Sequence, residues 1–344
     1  MKNISVNLFN LRAEIFIMNL KLLNILRCPA CKSNLICHSE KADEKGSIIE
    51  GSLECSQCHK NYPIIRSIPR FVSMDNYATS FGYQWNLYKY TQVDKFSKTS
   101  HSEKRFFAET KWSKESVNNN WILEVGCGNG RFIDVCSSMD CQVVGVDISS
   151  AIDAAGELFQ DRENVHLIQA SIYELPFADG VFDKCYSIGV IQHTPDPKQS
   201  INALPKLIKK DGQIALTIYE RRPWTPFYGK YVVRRLTKRL NKKVLLSAIK
   251  LASPILFPVT EILFKIPVLK NVFKFIIPYA NYTDMTKLSI KQRYEWAILD
   301  TFDMLSPAYD SPMTEASVRK CLENSRMKNI RRLANPGVNM IAVK

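Results

Sequence analysis

The sequence predicts an α/β protein built on a seven-stranded, mostly parallel sheet that ends in an antiparallel hairpin, and three features of the chain predict it. Five short apolar runs, 121–125, 142–146, 165–169, 182–188 and 213–219, are separated by helix-length spacers, which is the alternation of βαβ units. A glycine-rich turn follows the first run and opens a helical segment. Two further runs, 329–333 and 338–343, are joined by Asn335, Pro336 and Gly337, residues that fold two strands back on each other. The 344 residues suffice for more than one domain, and 46% apolar against 23% charged residues excludes a disordered or collagenous chain.

Taken in order, residues 1–17 have no evident structural role and Met18 offers a second start, so a disordered leader is expected there. No small-residue cleavage site follows, which disfavours a signal peptide. Residues 18–75 form a short unit holding Cys28-Pro-Ala-Cys31 and Cys55-Ser-Gln-Cys58. A two-residue gap lets both thiolates of a pair reach one ion, and two pairs complete a tetrahedron for structural Zn²⁺ with no open position. A unit this small needs the metal to fold. Redox chemistry is the competing reading, but it needs only one pair. Cys37, His38 and His59 have the wrong spacing. With Met18-Asn-Leu-Lys-Leu-Leu-Asn-Ile-Leu-Arg-Cys-Pro-Ala-Cys31 in view, the unit resembles the zinc-ribbon activator subunit of tRNA and protein methyltransferases, fused here in cis.

Residues 76–120 read as a helical linker that caps a ligand site, and 121–344 as the sheet domain. Glu124-Val-Gly126-Cys127-Gly128-Asn-Gly130 follows the first strand, and its glycines permit positive φ and close approach of backbone N–H groups to a ligand. Asp147, ending the next strand, is placed to accept from ribose hydroxyls. A dinucleotide fingerprint requires a third glycine where Arg131 stands, so a nicotinamide cofactor is disfavoured. A purely structural turn is the other alternative.

Trp121-Ile-Leu-Glu-Val-Gly-Cys-Gly-Asn-Gly130, Asp147, Glu174-Leu-Pro-Phe177 with Phe182-Asp183, and Ser187-Ile-Gly-Val-Ile-Gln-His193-Thr-Pro-Asp196 resemble class I S-adenosylmethionine-dependent methyltransferases, with their Rossmann-like sheet. Phe81-Gly-Tyr-Gln-Trp85 and Leu299-Asp-Thr-Phe-Asp-Met-Leu-Ser-Pro307 look like a bacterial subgroup that carries such a ribbon. The resemblance implies that Glu124, Gly126, Cys127, Gly128 and Gly130 line the methionine end of S-adenosylmethionine. It implies that Asp147 holds the ribose, Ile148 packs on the adenine and Ile172 offers a backbone N–H. Ser171 stands where the family often has an Asp against the adenine amino group; its hydroxyl can accept the same bond without charge, so weaker binding is expected.

Methyl transfer is an in-line displacement that alignment alone can support, so a base is optional. His193, after the fourth strand, is the candidate base; ordering of the loop before Pro195 and Pro197 is its alternative role. The Asn or Asp followed by Pro-Pro and an aromatic, usual for amino-group methylation of nucleic acids, is replaced by Ile191-Gln-His193-Thr. An oxygen, carbon or carboxylate acceptor is favoured, on a small-molecule, glycan or lipid-linked substrate. A tRNA, rRNA or protein methyltransferase that docks through the ribbon, and a non-catalytic cofactor-binding scaffold, are the alternatives.

Residues 221–295 interrupt the sheet with a helical insertion. Ten of the 47 basic residues fall in 221–250, where no acidic residue occurs, leaving 37 against 33 elsewhere. Charge on one face and apolar residues on the other predict a cap over the active site, with contact to an anionic membrane through 221–279 or a merely solvated basic face as the two outcomes. Nucleic acid is disfavoured, because no aromatics interleave the charges of 234–250. No spanning helix is expected, since Lys250, Glu261, Lys265, Lys270, Lys274 and four prolines cut the stretch 244–279. The cysteine usage points to a reducing, cytoplasmic compartment, with peripheral membrane contact as an option.

Overall fold

The computed structural model describes residues 17–42, 48–73 and 75–344, with side chains from Lys21 onward; residues 1–16 of the expected leader lie outside them. Strands β1 (Leu35–Ala42), β2 (Ile48–Cys55), β3 (Asn61–Ile65) and β4 (Ile68–Pro69) form an antiparallel sheet in that order. Strands β5 (Trp121–Val125), β6 (Gln142–Asp147), β7 (Val165–Gln169), β8 (Phe182–Ile188), β9 (Ile208–Ile218), β10 (Lys328–Arg332) and β11 (Val338–Val343) form the large sheet, ordered β10-β11-β9-β8-β5-β6-β7. All neighbours from β9 to β7 pair in parallel, and β11 runs antiparallel to both β9 and β10. The expected β9 gains Ile208 to Gly212, a segment that shifts the β8 register and turns through Asp211 at φ 64°.

Side chains alternate across this sheet with the period of two that a pleat imposes. Leu123, Val125, Val144 and Val146 enter one core, whereas Ile122, Val143 and Tyr186 enter the other. Both faces are therefore covered, as a parallel sheet requires. The first core is continuous with the interior of the small sheet, through Leu26, Leu53 and Ile64.

The small sheet also docks on the large one by backbone bonds. Phe71 N donates to Gln169 O (2.8 Å), Arg27 N to Pro176 O (2.8 Å) and Ala178 N to Ile25 O (2.9 Å), so segments of the ribbon extend the β7 edge. Asp153 anchors the joint, accepting from Arg70 Nη2 at 2.6 Å and from Arg66 Nη2 at 2.8 Å. The Glu174-Leu-Pro-Phe177 segment is thus occupied in holding the ribbon, and Asp183 ties β8 to β5 by accepting from Trp121 N (2.8 Å).

In 76–120, helices Thr79–Leu87, Asp94–Ser97, His101–Thr110 and Lys114–Val117 form the cap. The insertion folds as helices Gly229–Thr237, Lys242–Leu263 and Lys270–Ile276, and helix Ile290–Leu305 runs across residue 295. Contrary to the expectation of an interrupted stretch, Lys242–Leu263 is one 22-residue helix, and by length and composition it could cross a membrane. Pro254 and Pro258 are exposed in it, so the carbonyls they leave without an intrahelical donor can be solvated.

Candidate functional site

The strand order reverses between β5 and β8, and ligands of open α/β sheets bind outside the carboxyl ends of the strands at such a point. A cavity of about 840 Å³ opens there, floored by the loop after β5 and the loop after β8. It lies within the range of about 300–1,000 Å³ usual for ligand sites, at the large end.

The glycine loop is shaped by positive φ, 81° at Gly126, 56° at Gly128 and 84° at Gly130. A Cβ on Gly126 would lie 2.3 Å from Val190 Cγ1, and one on Gly128 would lie 3.2 Å from Trp85 Nε1. The expected free amides are a different matter. Gly126 N and Cys127 N both donate to Val146 O (2.7 and 3.1 Å), Gly128 N to Asp147 Oδ2 (2.8 Å) and Gly130 N to Cys127 O (2.8 Å). The loop therefore offers a ligand a fixed shape in which these four amides are already bonded, three of them by β6.

Asp147 Oδ1 accepts from Ser149 N (2.8 Å) and Ser149 Oγ (2.7 Å). With the Gly128 bond, three of a carboxylate's roughly four acceptor sites are filled, which leaves about one for a ribose hydroxyl. Burial raises the Asp147 carboxyl above its ordinary range, and these same bonds oppose the shift. Glu124, 2% exposed, accepts from Tyr186 Oη at 2.8 Å and is pushed up to about 8 by burial.

Of the predicted cofactor residues, Glu124, Gly126, Cys127, Gly128, Asp147, Ile148 and Ile172 line the cavity. Gly130 and Ser171 do not. Gly130 caps helix Arg131–Cys136 against Phe159, and Ser171 Oγ accepts from Tyr173 N (3.3 Å) as the cap of the turn Ile172–Glu174. A short hydroxyl reaches its own backbone two residues on, which is why Ser favours this position.

His193 is 6% exposed and lies at the cavity wall, between the rings of Phe81 and Tyr219. Its Nδ1 is 3.0 Å from Tyr309 O. A carbonyl only accepts, so Nδ1 is the donor, and in the neutral ring Nε2 is the nitrogen that carries the lone pair. That Nε2 is buried and has no hydrogen-bond partner among the described residues.

The facing wall comes from segments the motifs singled out without assigning a role. Gln92 Nε2 bonds both oxygens of Asp300 (3.0 and 3.1 Å), and Gln84 Nε2 reaches Asp303 Oδ1 (3.4 Å). Burial and the charge of Asp303 push Asp300 up to about 7. Arg131, bonded to Gln92 Oε1, is brought down to about 10 by burial and by Arg105, and it lines the cavity. A signal for these residues was present, because an i, i+3 acid pair inside the otherwise apolar 296–305 run is costly unless it serves a site.

At the ribbon, the four Sγ atoms of Cys28, Cys31, Cys55 and Cys58 all lie within 4.8 Å of one another. The Cys28–Cys58 and Cys31–Cys55 separations are 3.6 and 3.3 Å. A tetrahedron with metal–sulfur bonds of about 2.3 Å has edges of about 3.8 Å, so the donor set fits Zn²⁺. His38 and His59 bond Glu54 instead (both 3.2 Å).

Comparison with known proteins follows the same division. Ubiquinone biosynthesis O-methyltransferase of Acinetobacter baumannii (strain AYE) is 30% identical over 125 residues, 34% of this chain and 53% of that protein. The protein of that name from Pseudomonas paraeruginosa is 30% identical over 105 residues, 30% of this chain and 45% of its own. The chain thus spans about half the length of the curated relatives it matches. Among solved structures, a complex containing the Haloferax volcanii Trm112 methyltransferase activator aligns at TM-score 0.35 with 15% identity, covering 41% of this chain and 61% of that one. A SAM dependent methyltransferase from Aquifex aeolicus aligns at TM-score 0.38 with 12% identity, covering 73% and 95%. Residues 123–216 match the family described as methyltransferase domain, and residues 19–67 match the Trm112p-like protein family. The chain accordingly carries a stretch that matches the Trm112p-like family, with the four-cysteine cluster, followed by a stretch that matches the methyltransferase domain family.

Proposed function

We propose that this chain transfers a methyl group from S-adenosylmethionine to a hydroxyl of a small-molecule acceptor, with His193 as the general base. The observation that carries the reading is the buried, unpartnered Nε2 of His193, held in one tautomer by Tyr309 O beside the glycine loop. The cofactor supplies the electrophile, a methyl group on a positively charged sulfur. Asp147 and the walls of Gly126, Gly128, Ile148 and Ile172 hold it by shape and by one remaining carboxylate lone pair. Ser171 and Gly130 act behind this wall. His193 Nε2 takes the acceptor's hydroxyl proton as the oxygen attacks, and Asp303 lies close enough for its charge and that of the imidazolium to favour each other. Arg131, Asp300 and Asp303 present paired polar groups to the acceptor.

A hydroxyl acceptor is favoured because an oxygen nucleophile gains most from a base, and the matched relatives are named O-methyltransferases. A macromolecular acceptor is the reading that the Trm112p-like match favours. Against it, the ribbon's backbone and its Arg70 are already bound to β7 and Asp153. The deciding experiment is calorimetry with S-adenosylmethionine followed by labelled methyl transfer in cell extract, with the product identified by mass. Saturable binding and a labelled small molecule are expected, both lost in Asp147→Ala. Label confined to RNA or protein, or binding without any transfer, would overturn the reading.

A further inference from the structure

The insertion has an outer surface that a soluble core does not need. Along helix Lys242–Leu263, Leu245, Leu246, Ile249, Ser253, Phe257 and Thr260 are buried. At about 100° per residue these fall on one side, and Val244, Leu251, Ile255, Val259 and Ile262 fall within about 80° of one another on the other. That second stripe is exposed, Leu251 by 82% and Ile255 by 69%. An ordinary surface helix carries polar residues there. Val232 and Leu236 extend the exposed apolar surface on helix Gly229–Thr237, as do Val268, Leu269, Val272 and Ile276 around helix Lys270–Ile276.

The charge beside this surface is predominantly basic, and its acids are paired, Glu261 with Lys265 and Arg293 and Asp284 with Lys274. Arg235, Lys238, Arg239, Lys243 and Lys250 are all exposed. Arg234 is not part of the set, because it is buried and donates to Met304 O (3.1 Å) and Pro307 O (2.9 Å). Two copies meeting through this face would bring like charges together, whereas an anionic bilayer would meet complementary charge. The long helix cannot cross such a bilayer without abandoning its packing on Ile298, Phe302 and Leu305, so it would lie in the plane of the interface.

Beneath the insertion is a second cavity of about 720 Å³, walled by Tyr228, Phe264, Phe275, Ile277 and Tyr279. It shares Tyr219, Lys230, Tyr282 and Met304 with the cavity that holds His193. Helix Lys270–Ile276 therefore has Phe275 turned to this cavity while Val272 and Ile276 are exposed.

We propose that the insertion seats this chain on an anionic bilayer, and that the second cavity takes the apolar part of a membrane-borne acceptor whose hydroxyl reaches His193. The docking stands without the methyl-transfer reading; the acceptor class rests on it. The full chain should co-sediment with vesicles of phosphatidylcholine plus phosphatidylglycerol and much less with phosphatidylcholine alone. Leu251→Glu with Ile255→Glu should weaken that binding about tenfold or more. Arg235→Glu, Lys238→Glu and Arg239→Glu together should weaken it at least about a hundredfold, at about 1 kcal/mol for each positive charge lost. Both variants should keep the cofactor affinity of the parent, which shows that they fold. Failure to bind anionic vesicles, binding indifferent to both variants, or a dimer in solution that Leu251→Glu dissolves would each overturn the docking. Labelled methyl recovered only in water-soluble product would overturn the acceptor class while leaving methyl transfer intact.

Discussion

The two walls of the large cavity differ in how their atoms are committed. On the sheet side, from Glu124 through Asp147 to Ile172, short side chains and backbone amides bond almost entirely among themselves. On the cap side, Arg131, Gln92, Asp300 and Asp303 are long or charged groups brought from separate segments, and their bonds run to one another across the space. A wall that has satisfied its own polar groups can recognise one invariant shape, whereas a wall of charged side chains can exchange its internal partners for those of a ligand. In the proposed reading the donor belongs to the first wall and the acceptor to the second.

The largest expected effect breaks the sheet side from outside. Removing the metal, by chelation or by Cys28→Ser with Cys31→Ser, withdraws folding free energy of order 10 kcal/mol from the ribbon. The ribbon holds residues 169–178 through Arg27, Lys32 and Arg70, and that segment carries Ile172. Proteolysis within 28–70 and loss of cofactor binding by calorimetry should therefore appear together. Retained affinity in the unfolded-ribbon protein would show that the β7 edge holds Ile172 without help.

Next in size is His193, at the seam between the walls. His193→Gln should lower kcat about a hundredfold, within the range for loss of a general base, and leave the affinity for S-adenosylmethionine unchanged. Unchanged turnover would reduce His193 to a loop-ordering residue bonded to Tyr309.

A matched pair then tests the division of labour. Gly126→Ala places a Cβ 2.3 Å from Val190 Cγ1 at φ 81°, and the strain of about 2 kcal/mol should cost about thirtyfold in cofactor affinity. Asp303→Asn on the opposite wall should leave that affinity within about twofold and lower kcat/KM for the acceptor instead, since it removes charge without adding bulk. Equal effects of both on cofactor binding would erase the distinction between the walls.

The same distinction governs what the chain made legible. Strand positions β5, β7, β8 and β11 could be read to the residue, because each is a short, largely buried and mainly apolar run bounded by turn residues. The metal ligands were equally plain, since their spacing is the coordination geometry. Ser171 falls outside the cavity lining because a motif position gives proximity but not the direction of a short hydroxyl, which its own backbone captures. The glycine amides were misjudged because the strand beside them, and not the loop's composition, decides which are bonded. The cap wall could be marked only as two unexplained segments. Gln92 meets Asp300 across more than two hundred residues, and no local pattern encodes such a pairing. The helical character of 221–295 was legible, but a helix of span length was not expected because charged residues and four prolines read as interruptions, although Pro254 and Pro258 are tolerated on an exposed side.

The smallest expected effect is a pH dependence that distinguishes the walls by where it falls. Asp300 is pushed from its ordinary 3.8 up to about 7 by burial and by the charge of Asp303. Between those two values the folded chain keeps a proton that the unfolded chain has released. The unfolded state then binds fewer protons, so stability must fall as pH rises through that window and level off above it. Glu124, on the sheet side, is raised from 4.5 to about 8 by burial, and its loss of stability extends correspondingly further up. Thermal melting of the ligand-free protein across this range should show a decline that Asp300→Asn removes below about pH 7 and Glu124→Gln removes up to about pH 8. If neither variant flattens its part of the curve, the two carboxyls are already ionised in the folded chain, and the cap wall presents the acceptor with two charges rather than one.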